Sequence, residues 1–195
     1  MRSRGFTLIE LAVVLAIIAV LAAVLTPMVT GYIDQARVAR ATADVRSIAD
    51  AARLYQRDVG EFPIWASTTE YNGGSGTPSG VIAGALGTNP TDNASNYLSS
   101  VGASSLESYL NANNLNRATT GAVGRAVFRG PYIGNLDSDP WGKKYFMTGA
   151  NLKNGAVNWG FVISAGPDNT FDTTLNQAKT GAFTVGDDDI VAVIH

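Results

Sequence analysis

An apolar run near the amino terminus constrains this chain more than any other feature. Residues 11–25 carry no polar side chain, and the apolar character extends from Phe6 to Val29. A run of that length is sufficient for a helix to cross a bilayer with some tilt. Just before residue 11 stands a carboxylate, Glu10, although a charge at bilayer depth costs roughly 2.5–3.5 kcal/mol. An interpretation of this segment must therefore explain why a carboxylate stands at its start.

Three interpretations of the segment are open. Arg2 and Arg4 before the apolar run are typical of a secretory signal peptide, and also of a membrane anchor whose basic flank stays cytoplasmic. Neither of these explains Glu10. The third rests on the run Gly5-Phe6-Thr7-Leu8-Ile9-Glu10 and on Pro27 within the apolar helix. These residues resemble the processing site of the type IV pilin superfamily.

The resemblance implies a processing step and an assembly role. A prepilin peptidase would cut after Gly5, remove residues 1–5 as a cationic leader, and methylate the new amino terminus at Phe6. The new ammonium would give Glu10 a partner, in the same subunit or in a neighbour, and a buried charge is tolerable only when paired. The resemblance implies the neighbour, with Glu10 setting the register of each incoming subunit and Pro27 belonging to the assembly helix.

The helical pattern continues beyond the apolar run. An apolar stripe with alternating spacings of three and four residues predicts that this part of the helix packs under a globular domain. Its members are Val38, Ala41, Val45, Ile48, Ala52 and Tyr55. Arg40 with Asp44, and Arg46 with Asp50, are predicted i,i+4 pairs on the solvated side. Pro27 and Gly31 mark a point where the helix can bend or melt, and Gly60 and Pro63 are expected to end it.

The remaining sequence predicts a small β-sheet. Residues 66–96 are rich in Gly, Ser, Thr, Asn and Pro and predict a surface loop, followed by a short helix around Ser105–Asn111. Asn154-Gly155 between Tyr145–Met147 and Trp159–Ile163 is a strong hairpin signal. A third strand is expected at Ile190–Ile194.

The expected fold class is therefore α+β, a long amino-terminal helix packed on a small antiparallel sheet. The helix has an apolar transmembrane or stalk half and an amphipathic half. Five regions are expected: leader 1–5, transmembrane and filament-core helix 6–30, amphipathic helix 31–60, variable loop region 61–130, and antiparallel sheet with an acidic loop 131–195.

Composition excludes several function classes. A net charge of −2 gives no field that favours nucleic acid, and the absence of cysteine excludes disulfides and thiolate metal sites. The sole histidine is the terminal His195, and the sequence contains no Gly-rich phosphate loop. We therefore expect no enzymatic activity.

Motifs in the second half narrow the resemblance. The runs DVGEFP (58–63), DPWGKKY (139–145), SAGPDNTF (164–171) and GDDDI (186–190) resemble the major pseudopilin of type II secretion systems. Residues 66–129 are longer than the usual connection in that family, and Asn169 stands where the family has glycine. These departures leave a type IV surface pilin open as an alternative.

The same resemblance implies a calcium ion in the carboxyl-terminal loop. Carried over by position, Asp168, Asp188 and Asp189 are the candidate ligands, with Asp187 and Asp172 as secondary candidates and backbone carbonyls near Ala165 and Asn169. Calcium takes six to eight hard oxygens, which flexible Asp-rich loops supply. The alternative is a solvated acidic turn without an ion.

The expected function is that of a structural filament subunit. It would be stored as a single-pass protein of the bacterial inner membrane with its head in the periplasm, and then polymerise with itself through its amino-terminal helix. The implied partners are the prepilin peptidase, the inner-membrane assembly machinery and the membrane. A type II secretion pseudopilus driving protein export is the first expectation. The alternatives are a surface pilin for adhesion, motility or DNA uptake, and a membrane-anchored binding module that does not polymerise.

Overall fold

The computed structural model describes residues 6–60, 62–63, 82–92, 105–111, 128–152 and 155–194. The chain forms two compact units, Met1–Arg37 and Val38–His195. The elements in chain order are helix α1 (Leu8–Val59), strands β1 (Ile82–Ala83) and β2 (Thr91–Asp92), helix α2 (Leu106–Leu110), strand β3 (Phe146–Met147), a 3-10 turn (Ala150–Leu152), and strands β4 (Phe161–Ser164), β5 (Thr170–Phe171) and β6 (Ile190–Val193). The α+β class is confirmed. Leader 1–5 and most of region 61–130 lie outside the described residues.

The predicted stripe of helix α1 is buried from its second member onward. Its five buried members have exposed fractions of 2% or less, and they are Ala41, Val45, Ile48, Ala52 and Tyr55. Val38, by contrast, is 40% exposed, because the core that the stripe joins begins one turn later. Gly60 ends the helix as expected, with a φ of +91° and its amide donating to Gln56 O at 2.7 Å.

The polar side of the helix makes contacts that the sequence pattern did not predict. Arg40 Nε lies 3.6 Å from Asp44 Oδ2, as expected for an i,i+4 pair. The same carboxylate oxygen accepts a hydrogen bond of 2.8 Å from the phenol of Tyr145, which is buried. Asp50 pairs with Arg53 at 2.7 Å rather than with the predicted Arg46. The helix is therefore tied to the segment before β3 by a hydrogen bond as well as by apolar packing.

This tie gives a first prediction. Tyr145→Phe removes the phenol that donates to Asp44 and is expected to lower the free energy of unfolding by about 1 kcal/mol. Chemical denaturation of the full chain in detergent micelles measures the change. Tyr32→Phe is the matched control, because that tyrosine is 58% exposed. A loss no larger in Tyr145→Phe than in the control would contradict a stabilising role for the bond.

Among the described residues, the main sheet contains four strands in the order β1-β3-β4-β6, and each neighbouring pair is antiparallel. Alternate residues face opposite sides, as strand geometry requires. Met147 and Val162 join the core that contains the buried face of α1, whereas Phe146, Phe161 and Ile163 join a second core. In the second core the rings of Phe161 and Phe183 lie 5.1 Å apart. The predicted third strand at Ile190–Ile194 is confirmed by β6.

The predicted pairing of β3 with β4 is confirmed, but the connection is longer than a two-residue turn. The pairing has Met147 opposite Val162, and the 3-10 turn lies within the connection. The side chain of Thr148 accepts a hydrogen bond of 2.9 Å from the amide of Phe161, which terminates the ladder early. Gly155 has a φ of +81°, as the hairpin signal requires, and Asn154 lies outside the described residues.

Two short strands lie where the sequence pattern predicts a loop. Strand β1 forms an edge of the main sheet, and β2 pairs in parallel with β5. Two residues are too few to produce a detectable alternation, so the pattern gave no sign of them. The short helix predicted around Ser105–Asn111 is confirmed as α2, which is capped by the Ser105 side chain.

Strand β6 forms the other edge of the main sheet, and a side chain of α1 contacts it. Arg53 Nη2 donates to the carbonyl oxygens of Val193, at 2.8 Å, and of Ile194, at 3.2 Å. Since the last amide of the ladder, that of Ile194, already donates to Gly160 O at 2.7 Å, the end of β6 is hydrogen-bonded on both sides.

Candidate assembly motif and candidate metal centre

Glu10 and Thr7 bond to each other at the start of helix α1. Glu10 Oε2 accepts hydrogen bonds from the amide of Thr7, at 2.8 Å, and from its hydroxyl, at 2.7 Å. In return the amide of Glu10 donates to Thr7 Oγ1 at 3.3 Å. This reciprocal arrangement is a capping box, which satisfies amides that the first turn of a helix leaves without partners.

The capping box adds a partner for Glu10 that sequence reasoning missed. From the sequence, only the Phe6 ammonium is predicted as a partner of Glu10. The spacing T-x-x-E is itself the signature of such a cap, and it could have revealed Thr7 as a second partner. Phe6 is 91% exposed, and Gly5 lies outside the described residues. Processing at Gly5 and the pairing of Glu10 with a neighbouring subunit remain predictions.

The first part of α1 exposes apolar side chains on all sides. Each large apolar side chain from Leu8 to Val29 is more than half exposed, and the helix is long and apolar enough to cross a membrane. The helix continues through Pro27, where Thr30 Oγ1 donates to the Pro27 carbonyl at 2.9 Å. The structure therefore keeps helical geometry at the point where the sequence indicates a possible bend.

Three carboxylates meet beside the sheet edge. Asp168 follows β4, Asp172 follows β5, and Asp188 precedes β6; one carboxylate oxygen from each lies within 4.8 Å of the other two. The amide of Asp168 donates to Asp188 Oδ2 at 3.0 Å, and the amide of Thr170 donates to Asp168 Oδ1 at 2.7 Å. The group contains two of the three primary candidates and one secondary candidate, Asp172.

Asp189 is buried and is not part of this group. Its side chain is 7% exposed, and its Oδ2 accepts hydrogen bonds from the amides of Asp172, at 2.9 Å, and Thr173, at 2.6 Å. Burial raises the pKa of Asp189 to about 6. Asp189 thus fixes the segment that carries Asp172. Asp187 is exposed and has a φ of +25°, and it is not part of the three-carboxylate group.

Electrostatic features of the group suit a cation. Burial raises the pKa of Asp188, the charge of Asp168 adds to the rise, and the Asp168 amide opposes it. Asp188 Oδ1 and the neighbouring Asn169 Oδ1 are buried without a hydrogen-bond partner. Asn169 adopts a φ of +64°, a left-handed conformation that asparagine tolerates better than most residues. An all-oxygen donor set that includes an unsatisfied carboxylate oxygen fits a hard cation such as Ca²⁺.

Known proteins resemble this chain at its amino terminus and along most of its length. Residues 1–26 match the family described as the prokaryotic N-terminal methylation motif. Type II secretion system core protein G of Pseudomonas aeruginosa is 44% identical over 62 residues, which cover 32% of this chain and 44% of that protein. The protein of the same name from Dickeya chrysanthemi is 27% identical over 172 residues, covering 88% of this chain and 82% of that protein.

A fimbrial protein is also similar. Type IV major fimbrial protein FimA of Dichelobacter nodosus is 37% identical over 79 residues, which cover 39% of this chain and 49% of that protein. No solved structure matches this chain.

Proposed function

We propose that this chain, which carries the prokaryotic N-terminal methylation motif and is similar to type II secretion core proteins G, is a structural subunit of a pilus-like filament. The observation that carries the proposal is the match of residues 1–26 to the N-terminal methylation motif, together with a helix whose apolar sides are exposed. Its role is the assembly of a type II secretion pseudopilus that drives protein export, rather than catalysis.

The exposed part of α1 supports polymerisation. Apolar surface of that extent is unstable in water, and it requires either lipid or other apolar helices. A helix also satisfies its own backbone hydrogen bonds, so it is stable in both surroundings. The subunit is therefore stored in the inner membrane and leaves it when like helices replace the lipid.

The charge pattern supports a single orientation. Arg2 and Arg4 precede the apolar run, and basic flanks stay on the cytoplasmic side. The processing site then faces the cytoplasm, and the unit from Val38 onward lies in the periplasm. Prepilin peptidase and the inner-membrane assembly machinery are the proposed partners.

Processing and assembly are tested together by expressing the full chain with a type II secretion machinery. Mass spectrometry of the sheared filament fraction is expected to find a chain that begins with N-methylated Phe6. Gly5→Val is expected to leave an uncut precursor in the membrane. Filaments built from the full-length precursor, or a mature chain that stays in the membrane under these conditions, would contradict the proposal.

A surface type IV pilin is the second candidate function, favoured by the similarity to the Dichelobacter nodosus fimbrial protein. A surface pilin would form long extracellular fibres on the native host. Electron microscopy of sheared material from the host at native expression separates the two, because short periplasmic pseudopili leave no such fibres.

For the carboxyl-terminal loop we propose a structural calcium ion held by Asp168, Asp172 and Asp188. The support is the grouping of the three carboxylates and the buried Asp188 oxygen without a partner. The ion would neutralise the repulsion between these side chains and join the segments that precede β5 and β6.

Removal of the ion gives a further prediction. Addition of EGTA to the full chain in detergent is expected to lower the melting temperature by about 5–10 °C, since an ion that binds only the folded form stabilises it by mass action. Re-addition of Ca²⁺ should restore the melting temperature. An unchanged melting temperature, together with no calcium in elemental analysis, would remove the metal proposal.

A further inference from the structure

A buried carboxylate outside the metal group links the sheet to the acidic loop. Asp139 is 3% exposed. Its Oδ1 accepts hydrogen bonds from the amides of Trp141, at 3.1 Å, and Lys143, at 2.7 Å, and its Oδ2 accepts one of 2.7 Å from the Ser164 hydroxyl. None of the ion pairs among the described residues includes Asp139. Burial of a carboxylate is costly, and here hydrogen bonds alone offset the cost.

Ser164 occupies the position where both acidic segments leave the sheet. It is the last residue of β4 and lies opposite Ile190, the first residue of β6. Asp168 lies in the turn that follows Ser164, and Asp188 lies just before Ile190. The two ligand-bearing segments therefore diverge from one residue pair.

The Ser164 hydroxyl also reaches into the turn. It accepts a hydrogen bond of 3.4 Å from the amide of Gly166. Gly166 in turn packs against the Asp188 backbone so closely that a Cβ on Gly166 would lie 2.3 Å from Asp188 O. A displacement of this turn toward Asp188 would therefore move Asp188 as well.

We propose that Asp139 and Ser164 are positioning residues for the metal centre, which they reach through the Gly166 turn without touching the ion. The inference rests on the proposed calcium site. Its physical basis is preorganisation, because three carboxylates held together without an ion repel one another. A rigid connection from Asp139 keeps Asp168 and Asp188 near the binding geometry, and residues that orient ligands typically contribute ten- to hundredfold to metal affinity.

Isothermal titration of the metal-free full chain with CaCl₂ in detergent micelles tests the proposal. Ser164→Ala removes the connecting hydroxyl but leaves the contacts of Asp139 with Trp141 and Lys143. Its dissociation constant for Ca²⁺ is expected to rise about tenfold. Ser138→Ala is the matched control, because it removes a hydroxyl next to Asp139 that makes no hydrogen bond among the described residues, and its affinity should equal that of the wild type.

Melting temperatures with and without Ca²⁺ separate positioning from stability. A positioning role predicts that Ser164→Ala shrinks the rise in melting temperature that Ca²⁺ produces, beyond any change in the metal-free protein. If Ser164→Ala lowers only the metal-free melting temperature and keeps the wild-type dissociation constant, the positioning role is wrong and the calcium site stands. If the wild type binds no Ca²⁺, the calcium site itself is wrong and the inference fails with it. Asp139→Asn, which keeps the size of the side chain, should reproduce the loss of affinity.

Discussion

Replacement of Glu10 by alanine is expected to leave cleavage after Gly5 intact and to reduce the filament yield below about a tenth of the wild type. In the proposed filament the Phe6 ammonium of one subunit meets the Glu10 carboxylate of a neighbour among apolar helices. Removal of one partner of a buried ion pair costs about 3–5 kcal/mol, because the other charge is left alone. That loss corresponds to more than a hundredfold in the association constant of a subunit, at about 1.4 kcal/mol for each tenfold change.

The capping box supplies two matched controls for this experiment. Glu10→Gln keeps an acceptor for the amide and hydroxyl of Thr7 but loses the charge. Thr7→Ala keeps the charge but loses the hydroxyl that bonds to Glu10, at a cost of about 1 kcal/mol to the helix start. If the charge of Glu10 is required for assembly, Glu10→Gln should lower the filament yield as much as Glu10→Ala does. Thr7→Ala should retain most of the filament yield.

Immunoblots of sheared fractions measure filament yield, and the mass of the amino-terminal peptide measures processing. Wild-type yield from Glu10→Gln would show that the cap, and not an ion pair, is the function of this residue. A block of cleavage in all three variants would show that the motif acts on the peptidase and would contradict the assembly role.

Gly166→Ala is the second change with a large expected effect. The new Cβ would lie 2.3 Å from Asp188 O, and the residue has a φ of +65°. Overpacking and the left-handed conformation together are expected to lower the free energy of unfolding by about 2–5 kcal/mol. Because the collision moves Asp188, the rise in melting temperature with Ca²⁺ should also disappear.

Gly155→Ala is the matched control for this prediction. Gly155 has a φ of +81°, but an added Cβ there meets nothing within 4 Å. Gly155→Ala should lower the free energy of unfolding only by the cost of the left-handed conformation, about 1–2 kcal/mol. The rise in melting temperature with Ca²⁺ should be unchanged. Thermal melts of both variants with Ca²⁺ and with EGTA give the comparison. Equal losses of unfolding free energy in Gly166→Ala and Gly155→Ala would mean that the contact of residue 166 with Asp188 does not contribute to the effect.

The features that follow a period over many residues were predictable from the sequence. The apolar stripe of α1 gave the buried face from Ala41 to Tyr55, because apolar residues at helical spacing fall on a single side of a helix and must be covered there. The strands around Asn154-Gly155 were predictable for a related reason, since two apolar runs flanked a turn signal. The grouping of Asp168 with Asp188 came only from the resemblance, since these residues lie in separate segments.

Features that depend on one tertiary contact were not predictable. Strand β1 has two residues, and its place at the sheet edge is set by pairing with β3. The buried position of Asp189 depends on two amides of a segment about sixteen residues earlier, so adjacent aspartates with the same chemistry take different roles. Asp139 lies within the run DPWGKKY, yet its bond to Ser164 joins positions that no local pattern connects.

The contact of Arg53 with the end of β6 has a consequence for how copies of this chain meet. A sheet edge with free carbonyls invites strand-to-strand association, which leads to irregular aggregates. Here a guanidinium of α1 occupies the carbonyls of Val193 and Ile194 and places a positive charge at that edge. In the proposed filament subunit, this contact would disfavour pairing between the β6 edges of two copies and leave association to the amino-terminal helices.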